Sequence, residues 1–234
     1  MFCRKYYFFW FLFFLCFVNL NAQPTSHPLE LRAQFNGQYD FTVIGNTLSF
    51  YDISSSQCQL LTSSSATLNL QTNQSIEAAY LYWSSVGDGS FNSTVELNNM
   101  PITAEEILVV DPEQTNFLTY FGAVANVTNI LQNFGNSVYT FSGLDLNSVI
   151  APYCTFGLEY GGWAITIIYQ QNNLPFKQVN IYDGLISVFG SGINSSGNLN
   201  IDNFEVNSNN DFNLGILAFN GSPTLFFGES LKFN

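Results

Sequence analysis

Positive charge is what this chain has least of. Its 234 residues carry five Lys and Arg against seventeen Asp and Glu. Two of the five, Arg4 and Lys5, precede an apolar run from Phe8 to Val18. Without the first 22 residues, three bases (Arg32, Lys177, Lys232) face seventeen acids, a net charge of −14. Phosphate backbones are held by Lys and Arg, so no nucleic-acid partner is expected. Anionic membrane surfaces are disfavoured for the same reason. Histidine is nearly absent too. His27 stands alone near the N-terminus, which leaves a Ser-His-Asp arrangement without its base and gives a His/Cys metal site little support. No Gly-rich loop leads from a strand into a helix in the manner of a phosphate cradle. No EF-hand spacing occurs, and no repeat or domain linker is evident. The apolar run falls short of the about 20 residues that a spanning helix needs.

What is present at the N-terminus reads as a secretion address. A positive start, an apolar stretch and the small residue Ala22 at a cleavage position are the layout of a signal peptide over residues 1–22. Bulky Leu15 before Cys16 argues against a lipid-attachment site, and the short run argues against an uncleaved anchor. The expected mature chain begins at Gln23 and is secreted or displayed at the cell surface, with no stable membrane span. Cleavage leaves two of the four cysteines, Cys58 and Cys154. A pair in an exported chain reads first as a disulfide.

Charged residues make up only 9% of the chain, so solubility rests on Asn, Ser, Thr and Gln. Aromatics, at 17%, supply a large core. Residues 23–34 read as a flexible lead-in to one domain over 35–234. Short alternating segments then recur between turn residues, each placing apolar groups on one face of a pleated strand. Tyr39, Phe41 and Val43 alternate, then Leu48 and Phe50, then Ala66, Leu68 and Leu70 after a Ser63–Ser65 loop. Ile76–Trp83 and Trp163–Tyr169 carry bulky groups on both faces and read as central strands. Thr94–Leu97 and Ile102–Val110 flank Asn98-Asn99, a pair suited to a tight hairpin turn. Asn126 is placed to cap one short helix over Val127–Phe134, ended by Gly135. Ser137–Ser142 and Lys177–Tyr182 follow as strands, the latter ending at an Asp183-Gly184 turn. Leu185–Phe189, Leu199–Val206 and Phe212–Phe219 come after. The whole predicts an all-β, antiparallel two-sheet sandwich, jelly-roll-like, with one short helix. Thr224–Phe227 and Ser230–Phe233 read as an unfinished hairpin, so the domain is expected to be truncated at its C-terminal end or to pair with another chain.

An ordered series runs through the chain: Ala79-Tyr80-Leu81-Tyr82-Trp83, Val95-Glu96-Leu97-Asn98, Tyr153-Cys154, Gly162-Trp163-Ala164-Ile165 and Ile181-Tyr182-Asp183-Gly184. In order and spacing it resembles a β-sandwich domain near the N-terminus of large exported, adhesin-like surface proteins of gliding bacteria. The resemblance covers roughly Phe35–Asn234. It implies an all-β sandwich without assigned catalysis, in proteins that carry a C-terminal sorting module. No such module is found in this sequence. Asn126-Val127-Thr128 before a short helix and a Gly is also similar to galactose-binding-like jelly rolls.

Candidate site residues follow from chemistry. Tyr120, Tyr153 and Tyr160 sit near loops, where exposed rings can stack on sugars or grip a protein; the alternative is that they close the ends of the sandwich. Asp111, Asp145 and Asp183 lie in turn-rich stretches beside backbone carbonyls, an oxygen-rich setting suited to calcium, although Asp is first a turn former. Glu105-Glu106 are adjacent and point to opposite faces if extended, a solvated patch. Asp145 and Glu159 flank Cys154. Paired carboxylates cleave glycosidic bonds only in a particular geometry. The expected function is a non-catalytic extracellular sandwich module that meets a cell-surface protein or glycan. The alternatives are a carbohydrate-binding jelly roll, with calcium as its possible cofactor, and less favoured, a glycan hydrolase.

Overall fold

A computed structural model describes residues 26–49, 58–90, 93–111, 118–146, 149–186, 201 and 213–219. Residues 1–22, expected to be a signal peptide, and the expected C-terminal hairpin lie outside these. In chain order the strands are β1 (Ser26–Gly37), β2 (Tyr39–Thr47), β3 (Ser63–Thr67), β4 (Ser75–Val86), β5 (Thr94–Leu97) and β6 (Met100–Thr103). They continue with β7 (Glu106–Val110), β8 (Tyr120–Asn126), helix α1 (Thr128–Phe134), β9 (Val138–Ser142), helix α2 (Ala151–Cys154), β10 (Gly161–Gln170) and β11 (Lys177–Ile186). The fold is an all-β antiparallel sandwich.

Two sheets enclose the main core. One has the order β2-β10-β4-β8-β7, the other β3-β9-β5-β6. The two segments with bulky groups on both faces, β4 and β10, are interior strands of the five-stranded sheet. Their inner faces supply Ala79, Leu81, Trp83, Trp163, Ile165 and Ile167, all buried. Trp83 and Trp163 are direct partners across the β4–β10 pair. Trp163 stacks on Phe141 with ring centroids 5.5 Å apart, and its indole N–H donates to Ser64 Oγ at 2.8 Å. A buried indole thereby keeps its polar atom partnered.

The opposite faces of β4 and β10 are covered by a third layer, which the two-sheet expectation lacks. Among the described residues, strands β1 and β11 pair only with each other, as a two-stranded ribbon. Their Ala33, Phe35, Val179 and Ile181 pack against Ala78, Tyr80 and Ile168 in a second, smaller apolar cluster. This corrects the reading of 23–34 as a lead-in: from Ser26 onward that segment is strand. Its alternation is blurred by two register shifts, between His27 and Glu30 and between Leu31 and Ala33.

Other departures have local causes. Asp183-Gly184 is no turn. Strand β11 runs through it, and Gly184 faces Pro28 so closely that a Cβ would fall on the Pro28 carbonyl; a strand glycine here serves a bulge. Ile102–Val110 divides into β6 and β7, which belong to different sheets, so Ala104-Glu105 is a crossing point. Ser63–Ser65 is strand, with Ser65 Oγ 2.8 Å from Thr140 Oγ1 on the neighbouring strand. Leu48 is buried without belonging to a strand. A second helix, α2, was not anticipated, although Pro152 sits in its first turn, where proline is tolerated. Of the late strands, Leu185 and Ile186 belong to β11, residues 213–219 carry no strand, and the rest lies outside the described residues apart from Ile201.

The hairpin turn and the helix are as expected in kind. Asn98 and Asn99 both have positive φ, 53° and 62°. Asn126 accepts the Thr128 N–H through its side chain at 2.9 Å, but the helix begins one residue later than expected, so Val127 holds the N-cap position and makes no side-chain cap bond. Gly135 closes α1 with φ 60°. Val127 and Leu131 are buried, while Phe134, on the same predicted face, stays 49% exposed.

Candidate functional site

The Cys58–Cys154 disulfide is formed, with Cα atoms 5.5 Å apart across 96 residues. It fastens α2 and therefore Tyr153. Tyr120, Tyr153 and Tyr160 do come together: Tyr120 meets Tyr153 edge-on at 5.6 Å and stacks on Tyr160 at 6.0 Å. They do so largely inside the protein. Tyr153 and Tyr160 are only 3% and 8% exposed, so neither presents a ring face to a ligand. The Tyr153 hydroxyl donates to Thr119 O at 2.6 Å and accepts the N–H groups of Thr119 at 2.8 Å and Gly87 at 3.2 Å. Tyr160 Oη lies 2.8 Å from Ser84 Oγ. Burial pushes the Tyr160 phenol up to about 12, although its bond with Ser84 works the other way. The trio closes one end of the sandwich.

The three aspartates are not gathered. Asp111 is fully buried, Asp145 is exposed, and Asp183 bonds the Arg32 guanidinium. No cluster of three His, Cys, Asp or Glu suited to a metal ion occurs among the described residues. Near Cys154, Glu159 is half-buried and holds one carboxylate oxygen away from solvent.

Among the described residues, the densest charged constellation centres on Arg32, which sequence reasoning passed over. Arg32 stands on β1. Its Nε donates to Asp183 of β11, and Nη2 donates to Glu106 Oε2 of β7 at 2.6 Å. Glu105 Oε2 lies 3.8 Å from Nη1. Tyr82, on the outer face of β4, donates to the same Asp183 oxygen at 3.2 Å. The adjacent Glu105-Glu106 pair thus converges on one cation instead of pointing apart. Glu105 precedes the strand, and strand alternation does not govern it. Burial opposes the Arg32 charge, but the Asp183 bond and the surrounding carboxylates outweigh it and raise its pKa. Burial, then the Asp183 charge, raises the Tyr82 phenol well above its usual value.

Beside this network lies a cleft of about 280 Å³ lined by His27, Glu30, Leu31, Arg32, Glu106, Leu108 and Asp183 among others. His27 Nε2 lies 2.8 Å from Val109 O, on the outer strand of the five-stranded sheet. No protein-family model, curated protein or solved structure matches the chain. The chemistry of the cleft therefore has to be read from its own atoms. A guanidinium stays protonated at physiological pH, and here it faces Asp183, Glu106 and Glu105. The arrangement joins β1, β11, β7 and β4, and its chemistry is that of a fastening. The signal that could have found it is scarcity: the one arginine beyond residue 22, set among seventeen acids, has many carboxylates to meet.

Proposed function

We propose that this chain is a non-catalytic, exported sandwich module of a secreted or cell-surface adhesin-like protein. Its surface is presented to a cell-surface protein or a glycan. The observation that carries the reading is the Cys58–Cys154 disulfide, because such bonds persist in oxidising compartments and are rare in the cytosol. The apolar leader of the sequence and the ordered series shared with exported surface proteins point the same way. The outer face of the four-stranded sheet supports a role in contact. It carries Ser63, Ser65, Thr67, Thr94, Thr103, Thr140 and Ser142, with one carboxylate, Glu96, bonded to Ser142 Oγ at 3.1 Å. Such a face offers neutral hydrogen bonds and little charge steering. No described helix is long and apolar enough to cross a membrane.

The test is to express the chain with its leader in an exporting bacterial host. Protease treatment of intact cells, N-terminal sequencing and thiol labelling are the readouts. The proposal expects a chain starting at Gln23, reached by external protease or released, with both thiols blocked. A chain retained inside with residues 1–22 attached and both thiols free overturns it.

A further inference from the structure

We propose that the β1–β11 ribbon is a strap that undocks from the sandwich as one unit, with Arg32 as its latch. The ribbon shares no hydrogen-bonded ladder with either large sheet. Its apolar seal is small: the cluster between ribbon and sheet has three buried residues, Ala78, Ile168 and the ribbon's own Ile181, against twenty-five in the main core, among the described residues. Docking therefore leans on a few polar bonds that cross the layer. Arg32 reaches Glu106 and Glu105, Tyr82 reaches Asp183, His27 reaches Val109 O, and Lys177 reaches Asp40 Oδ2 of β2 at 2.9 Å. Arg32 bonds its own ribbon partner and both glutamates at once, so it couples the ribbon's integrity to its docking. Parts of a protein with little buried apolar surface open below the global unfolding free energy. An isolated two-stranded ribbon is marginal in water, so undocking also frays it and exposes its amides. Opening uncovers Ala78, Tyr80 and Ile168 on the outer face of β4 and β10, an apolar strip otherwise hidden.

Amide hydrogen exchange by mass spectrometry on the mature, disulfide-intact chain at neutral pH tests this. In the wild type, peptides over residues 26–37 and 177–186 are expected to share one exchange rate, faster than that of β4 and β10. Arg32→Gln is expected to speed both ribbon peptides together by about ten-fold or more, since it leaves Asp183 without its cation, while β4 and β10 keep their rates. Tyr82→Phe removes a single hydroxyl and is expected to act in the same direction by a smaller factor; it keeps the test available if Arg32→Gln fails to fold. A ribbon that exchanges at the rate of β4 and β10, a variant that speeds all strands equally or only one ribbon strand, or no change in either variant overturns the proposal.

Discussion

Replacing Tyr153 by Phe distinguishes a structural pin from a ligand-facing ring. The substitution keeps the ring, and with it the edge-on contact to Tyr120 at 5.6 Å. It removes three hydrogen bonds at one oxygen: the one donated to Thr119 O and those accepted from Thr119 N and Gly87 N. Gly87 N keeps a second partner, Thr119 O at 2.8 Å. Thr119 N loses the bond it makes to the hydroxyl. A net bond is worth about 1 kcal/mol and stranding the part-buried Thr119 donor costs a further ~1 kcal/mol or more, so the expected loss is about 2–3 kcal/mol. For a domain of this size that corresponds to a melting temperature lower by about 5–10 °C. Urea unfolding followed by the fluorescence of buried Trp83 and Trp163 reads the change as a lower midpoint with an unaltered slope. A loss below about 0.5 kcal/mol, the scale of an ordinary surface substitution, refutes the assignment of Tyr153 as a pin.

Alkaline pH is expected to weaken the fold through Tyr160. Its phenol titrates near 12 in the folded protein and near 10 in an unfolded chain, so the folded state favours the neutral ring. That stabilisation is complete below about pH 10 and is lost as pH rises through about 12. Stability measured at pH 9 and pH 11 should fall less in Tyr160→Phe than in the wild type, and an equal fall in both rejects the link. Opening the Cys58–Cys154 bond should lower stability by about 4–5 kcal/mol from chain entropy, read as a drop in urea midpoint for the paired Cys→Ser variant. An unchanged midpoint contradicts a bond that restrains the unfolded chain.

Periodicity made the central part of the fold legible. Two-sided apolar content at Ile76–Trp83 and Trp163–Tyr169 marked interior strands, and both are covered on each face. Asn98-Asn99 and Gly135 announced their turns through backbone chemistry that few other residues satisfy. The outer ribbon was hidden because bulges break its alternation and because its partner strand is about 150 residues away, beyond any local signal. The candidate site was legible in one part and obscure in another. Cys58 and Cys154, the two cysteines beyond residue 22, have one way to pair with each other, whereas the burial of Tyr153 and Tyr160 depends on the position of α2, which residue type does not disclose. Glu105 and Glu106 are exposed, as a solvated patch requires, yet both turn to Arg32, because strand alternation does not hold where the chain passes between sheets.

The pairing of β1 with β11 bears on how this polypeptide is made. Synthesis from the N-terminus delivers Ser26–Gly37 early, yet its mate Lys177–Ile186 comes about 150 residues later. Until then the first strand has no ladder to join. Contacts so distant in sequence are slow to form, and the outer layer can close only once Lys177–Ile186 has emerged.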